Sequence, residues 1–285
     1  MTSIILLRTH RFRPQERNFA QRLQRESGLA VYVLADETHG TLETDPLLKI
    51  SISPGVVRDL GLPRPRDFAW RCGDYGVYAA QLSLPEISRF WLVEPDVWFS
   101  VPDIGPVFAR LEALDADFLA PHLHRASRAH FWFPTMGWDG TEVYRCSFAF
   151  CRFSAAAVDI CLAERRRLAR YLPARIMWAN DETFVATTVG RAGLVLADIN
   201  DGLPICAPIC TEESFGFAAA HRGETLAGGP HDGLVYHPVL WGQDYARKTQ
   251  RIAGGLSWEE IARLKLQRGV NRLLTGAVTR REPAQ

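Results

Sequence analysis

Apolar residues gather in short blocks along the first part of this chain, each closed by charge or a turn residue. Ile4-Ile5-Leu6-Leu7 is followed at once by Arg8 and the polar Thr9-His10-Arg11. A continuous apolar run of this length predicts a strand buried on both faces. Pro14 then opens a helical stretch. Phe19, Ala20 and Leu23 fall at helical spacing, and Gly28 is placed to cap the end. A second apolar block at 30–35 ends at Asp36. Strand, helix, strand in that order predicts a parallel sheet with helices on its faces.

The same reading carries on to about residue 200. It predicts strands at 49–53, 89–93, 117–120, 145–153 and 194–197, and helices at 73–83, 103–114, 155–171 and 181–191. Ser154 is placed to cap the 155–171 helix, whose Arg165-Arg166-Arg167 run is expected on a solvated face. Beyond residue 200 the pattern weakens into Gly-, Pro- and His-containing loops. A last helix is marked by Ser257 and Glu260 as a capping box, with Trp258, Ala262, Leu266, Val270 and Leu273 on one face. The expected organisation is a core domain over 1–240 and a helical extension over 241–285 packed on it.

Composition narrows the function classes. The 285 residues are 47% apolar and 23% charged, which excludes a disordered or fibrous chain. A net charge of +1 gives no global basic excess for nucleic acid. No apolar run approaches the ~20 residues of a membrane span, and the apolar start reads as a buried strand rather than a leader. Six cysteines are too few for a disulfide scaffold of this size. Cys206 and Cys210 have no second pair to complete a zinc site, so a reducing cytoplasm is the expected compartment. From Asp244 onward Lys and Arg outnumber Asp and Glu by nine to four. That excess allows peripheral contact with an anionic membrane surface or an acidic acceptor, although a solvated helix face is the favoured explanation.

The chemistry concentrates at Trp91-Leu92-Val93-Glu94-Pro95-Asp96. An apolar strand there delivers two carboxylates, at i and i+2, to its carboxyl end. In open α/β sheets that is where ligands bind. Paired carboxylates suit a hard divalent cation that also takes phosphate oxygens. The bland alternative is an acidic turn after a buried strand. Other candidates are spread along the chain: Arg8, His10 and Arg11 after the first strand, Asp36 after the second, and Asp181 and Glu182 at a helix start. The aromatic-rich run 130–139 can form a wall against a sugar or a base.

Glu94-Pro95-Asp96 resembles the Asp-x-Asp motif of glycosyltransferases with the nucleotide-diphospho-sugar transferase fold, known as GT-A, with Glu in place of the first Asp. The order of elements over residues 3–240 is also similar. The resemblance implies a three-layer α/β/α sandwich around a mostly parallel mixed sheet. It implies a donor site at Thr9, Asp36, Arg71 and Asp74. It further implies a Mn²⁺ or Mg²⁺ site at Glu94, Asp96 and His237, because His237-Pro238 resembles the late histidine that completes such sites. Asn180-Asp181-Glu182 resembles the acidic helix start that faces the acceptor, with Asp181 or Glu182 as base.

The implied activity is metal-dependent transfer of a sugar from a nucleotide-diphosphate sugar, with UDP as the commonest carrier, to a hydroxyl of a saccharide or glycoconjugate. Replacing Asp74 is expected to weaken nucleotide binding while leaving the melting temperature nearly unchanged. Three rivals rank lower. A sugar-phosphate nucleotidyltransferase shares the fold but carries a Gly-rich loop after strand one, where this chain has Arg8-Thr9-His10-Arg11-Phe12-Arg13-Pro14. A non-catalytic carbohydrate- or nucleotide-binding protein leaves the carboxylates unexplained. A nuclease lacks support from charge or further acidic pairs.

Overall fold

The first strand, β1 (Ser3–Thr9), lies in the middle of a seven-stranded sheet. This is a computed structural model, and it describes residues 2–65, 67–137, 140–201, 208–216 and 219–255. The remaining sheet strands are β2 (Ala30–Asp36), β3 (Leu48–Ile52), β4 (Arg89–Val93), β5 (Phe118–Ala120), β6 (Phe150–Ser154) and β7 (Leu196–Asp198). Their order across the sheet is β7-β5-β6-β4-β1-β2-β3. All neighbours run parallel except β6, which is antiparallel to both β4 and β5. The architecture is therefore a mixed, mostly parallel α/β sheet.

Burial on both faces explains the uninterrupted apolar strands. Ile4, Leu6 and Leu92 point into one core, with Tyr75 and Tyr78 of the Asp74–Ser83 helix, Val158 of the Ala155–Ala169 helix and Phe184 of the Asp181–Arg191 helix. Ile5, Leu7, Trp91 and Val93 point into the other, against Ala20 and Leu23 of the Pro14–Ser27 helix and Phe108 and Leu111 of the Gly105–Glu112 helix. Alternating side chains thus feed two cores, and helices close both faces. Gly28 ends the first helix at φ 70°, the left-handed conformation that glycine adopts without steric cost.

The register sets the site. Leu7 pairs with Val33 on one side and Val93 on the other. The chain order reverses between β1 and β4, which is the switch point where open α/β sheets bind ligands. Arg8 and Glu94, each one residue further on, emerge together at that crevice.

Two expectations are corrected. The strand expected at 145–153 is broken into Tyr144–Arg145 and β6. Between them the backbone turns aside: Cys146 N–H donates to the Glu182 carbonyl at 3.2 Å and Ser147 N–H to that of Pro121 at 2.8 Å. Helix-to-loop bonds here replace a strand ladder. The arginine run 165–167 is not a solvated face throughout. Arg165 is fully buried and ion-paired with Asp74, Nε to Oδ2 at 2.7 Å, while Arg166 Nε donates to the Leu60 carbonyl at 2.8 Å. Arg166 and Arg167 are both exposed, the latter beside Glu164. One buried countercharge 91 residues away was enough to draw Arg165 inward.

Among the described residues no helix is long and apolar enough to cross a membrane. The five described cysteines are buried free thiols. The Gly242–Gly254 helix has no buried residue, and the helix expected over 257–273 lies outside the described residues, as do Cys206, Trp138 and Asp139.

Candidate active site

Glu94 and Asp96 follow β4 on a short turn in which Val97 N–H donates to the Glu94 carbonyl at 3.1 Å. Strand Trp98–Phe99 then pairs antiparallel with Val235–Tyr236, and Val239 N–H donates to the Asp96 carbonyl at 2.7 Å. These bonds bring His237 against the acidic turn across 141 residues of chain. His237 N–H is fixed by the Ser214 carbonyl at 2.8 Å, and its ring lies against Phe215. The imidazole Nε2 is 3.5 Å from Asp96 Oδ1 and 3.7 Å from Glu94 Oε2. One ligand atom from each of the three residues lies within 4.8 Å of the others. Two carboxylates and an imidazole at that spacing fit a divalent cation such as Mn²⁺ or Mg²⁺.

Arg8 locks the acidic turn to β1. Its Nη1 donates to Glu94 Oε1 at 2.8 Å, and Nη2 donates to the Ala69 carbonyl. Burial disfavours the Glu94 charge, but Arg8 and His237 outweigh it and hold the carboxyl at about 2. Burial and the neighbouring Glu94 push the Asp96 carboxyl up, against the pull of His237. Burial lowers His237, yet Asp96 and Glu94 raise it overall. The cluster is thus a partly buried group of charges that holds one another in place.

A cavity of about 480 Å³ opens above this turn. Thr9, Asp36, Glu94 and Asp96 line it, together with Arg8, Arg11, Arg13 and the half-exposed Trp70. Asp36 is held by the Thr38 N–H at 3.0 Å, and Thr9 Oγ1 donates to the Arg11 carbonyl. At the rim, Asp244 of the Gly242–Gly254 helix lies 3.0 Å from Arg11 and 3.5 Å from Arg13. Three arginines share this lining with the carboxylates Glu16, Asp36, Glu94, Asp96 and Asp244, a mixed set that suits a ligand carrying both phosphates and a metal.

Arg71 and Asp74, the other two residues expected at a donor, do not line this cavity. Arg71 bonds the Trp178 carbonyl at 3.1 Å and Asp67 at 2.7 Å, and its guanidinium lies 5.1 Å from the Trp132 ring. Asp74 is fully buried between Arg165 and Tyr78, whose hydroxyl donates to it at 2.6 Å. The expectation that replacing Asp74 spares stability is therefore corrected, because the change strips a buried guanidinium of its countercharge.

Asp181 and Glu182 open the Asp181–Arg191 helix, capped by Asn180, whose Oδ1 accepts from Thr183 N–H at 3.3 Å. Asp181 is buried and turned inward: Oδ2 accepts from Gly73 N–H at 2.7 Å and Oδ1 from Glu182 N–H at 2.9 Å. Burial, with Asp74 and Glu182 nearby, pushes its carboxyl well up despite Arg8. Glu182 is only partly buried and accepts from Asn180 Nδ2 at 2.9 Å. Burial and the Glu94 charge raise it to about 7, against Asn180, His237 and Arg145.

Several residues of this site carry no local sequence signal. Gly73 is one, because a Cβ there would lie 2.3 Å from Arg8 Nη1 and 2.8 Å from Asp181 Oδ2. Its lack of a side chain lets both the Arg8 guanidinium and the Asp181 carboxylate pack close to the backbone there. Arg145, which Glu182 senses electrostatically, is another. In the aromatic run, Trp132 packs on Trp70 and Arg71, and Phe131 meets Trp132 edge-on at 4.7 Å.

No protein-family model matches the chain, and no curated protein matches it. Among solved structures it is similar to a glycosyltransferase involved in glycosylation of the major capsid of PBCV-1. The two are 11% identical over 90% of this chain and 100% of that one, with a TM-score of 0.42. It is also similar to the galactosyltransferase LgtC in complex with donor and acceptor sugar analogs, at 12% identity over 91% of this chain and 98% of that one, TM-score 0.41. A third is the mannosyltransferase Ktr4p from S. cerevisiae, at 14% identity over 70% of this chain and 68% of that one, TM-score 0.40.

Proposed function

We propose that the chain is a glycosyltransferase that moves a sugar from a nucleotide-diphosphate sugar to a saccharide hydroxyl, with a divalent cation at Glu94, Asp96 and His237. The observation that carries this reading is the cluster itself. Two carboxylates and an imidazole meet at the sheet's switch point, and the two carboxylates line a cavity that Arg8, Arg11 and Arg13 also line.

A cation held there would neutralise negative charge on a departing diphosphate. The chain's own residues do the rest. Arg8, Arg11 and Arg13 face the same space and attract phosphate oxygens. In this reading Asp36, at the end of β2, takes the sugar-ring hydroxyls of the nucleoside, and Thr9, bonded to the Arg11 carbonyl, shapes the loop after β1. Arg71 and Asp74 act behind the wall: Arg71 supports Trp132, and Asp74 anchors Arg165 and the helix start next to Gly73.

Glu182 is the acceptor's base in this reading. A carboxyl held at about 7 is half ionised near neutral pH, and so can take a proton from an attacking hydroxyl. Asp181, occupied by two backbone N–H groups, is the positioning residue that fixes the Glu182 backbone.

The test is incubation with labelled UDP- and GDP-sugars in the presence of Mn²⁺. Release of free sugar or transfer to an added saccharide supports the reading. Absence of both, with pyrophosphate released instead from a nucleoside triphosphate and a sugar phosphate, would replace it with a nucleotidyltransferase.

A further inference from the structure

A second cleft, of about 550 Å³, shares no lining residue with the donor cavity, and the donor reading makes no use of it. His124, Arg125, Ser127, His130, Phe131 and Arg145 line it, and none of its described lining residues is acidic. The segment that forms one wall, 122–130, contains five His or Arg residues and no Asp or Glu.

Arg145 is built for recognition. Its Nε donates to His124 Nε2 at 2.7 Å, which fixes the plane of the guanidinium. The two Nη groups make no hydrogen bond to a described residue. A guanidinium oriented from behind, with its outer edge open, pairs two-point with a carboxylate or phosphate. Arg125 differs, since Glu142 already pairs with it at 2.8 Å in solvent. Beside these groups, Phe131 offers an apolar ring of the kind that stacks on a sugar's C–H face.

The cleft is tied to the proposed base. Cys146, the residue after Arg145, donates its N–H to the Glu182 carbonyl at 3.2 Å. His130 Nε2 lies 3.2 Å from the hydroxyl of Thr183, the residue after Glu182. Burial, with Arg145 and His124 nearby, holds His130 at about 4, so it is neutral near pH 7 and leaves the cationic role to the arginines.

We infer that this cleft binds the acidic group of the acceptor, a saccharide carrying a carboxylate or a phosphate, with Arg145 as the specificity-determining residue. The inference deepens the transferase reading and rests on it for the word acceptor. Binding of an acidic sugar does not itself need that reading.

The experiment titrates the full chain with glucose, glucuronic acid and glucose 6-phosphate by calorimetry, in wild type and in Arg145→Gln, Arg145→Lys and Arg13→Gln. One or both acidic sugars should bind more tightly than glucose by roughly tenfold or more, as a charge-assisted pair allows. Arg145→Gln should abolish the preference and Arg145→Lys restore it in part. The arm that responds tells carboxylate from phosphate. Equal binding of all three sugars overturns the inference. So does a preference that survives Arg145→Gln, or one that disappears in Arg13→Gln instead, since the anion then sits in the donor cavity. Melting temperature in each variant separates lost binding from lost folding. The transferase reading is judged apart, by the nucleotide-sugar assay, whose failure leaves Arg145-dependent binding standing.

Discussion

Arg8 Nη1 lies 2.8 Å from Glu94 Oε1, joining the carboxyl ends of β1 and β4 across the point where the sheet order reverses. The same guanidinium passes over Gly73, whose N–H is bonded to Asp181. One cation therefore links the acidic turn, the start of the Asp74–Ser83 helix and the start of the Asp181–Arg191 helix. The acidic cluster and the proposed base are held in one frame by contacts that bridge distant parts of the chain.

Gly73→Ala should break that frame. Its Cβ would sit 2.3 Å from Arg8 Nη1, and Arg8 is pinned by Glu94 and the Ala69 carbonyl. Overpacking of this kind costs about 1–3 kcal/mol. Chemical denaturation of Gly73→Ala, Arg8→Ala and the double variant checks it. The double variant should be less destabilised than the sum of the two, because removing Arg8 relieves the clash.

Asp74→Ala should lower stability by about 3–5 kcal/mol, since it leaves Arg165 charged and buried without its partner. Thermal unfolding measures this. A melting temperature within a degree of wild type would mean that Arg165 finds another countercharge.

Asp244→Asn should strengthen nucleoside diphosphate binding by a few-fold at most. Asp244 occupies Arg11 and Arg13 at the cavity rim, and these partly exposed pairs are individually weak. Calorimetric titration at low salt would reveal the gain, and added salt should shrink it.

Glu182 gives a pH signature with a definite sign. Its carboxyl is raised from 4.5 to about 7 in the folded chain. Its stabilising contribution is therefore complete below the unfolded value and is lost as pH rises through the folded one. Glu182→Gln should match wild-type stability near pH 4 and exceed it at pH 8, by an amount on the order of 2 kcal/mol. In the transfer assay, the acidic limb of kcat/KM near pH 7 should vanish in the variant along with most of the rate.

How much of this was readable in the chain depends on whether a signal is local. The strands β1, β2 and β4 announce themselves because a doubly buried strand must be apolar throughout. The helix starting at Asp181 is marked by Asn180, a residue that caps well. Glu94 and Asp96 were visible as carboxylates at a strand end. His237, in contrast, reaches them through pairing of Val235–Tyr236 with Trp98–Phe99, and only the family resemblance pointed to it. Asp74 and Arg71 entered only through the family resemblance, because whether a charged side chain faces a ligand or a buried partner leaves no local mark in the chain. Gly73, Arg145 and the inward turn of Arg165 follow from contacts made over tens of residues, which no periodicity records.

The most direct measurement of the central claim is Mn²⁺ binding followed by electron paramagnetic resonance, with and without a nucleoside diphosphate, in wild type, Asp96→Ala and His237→Ala. Wild type should take up one Mn²⁺ whose affinity rises when the diphosphate is present. Each substitution should weaken that binding by at least about 10–100-fold, the range seen when metal-site partners are lost. Wild type that binds the diphosphate equally well with chelator present, or Asp96→Ala that retains full Mn²⁺ affinity, would contradict the assignment of this cluster as a metal-assisted donor site.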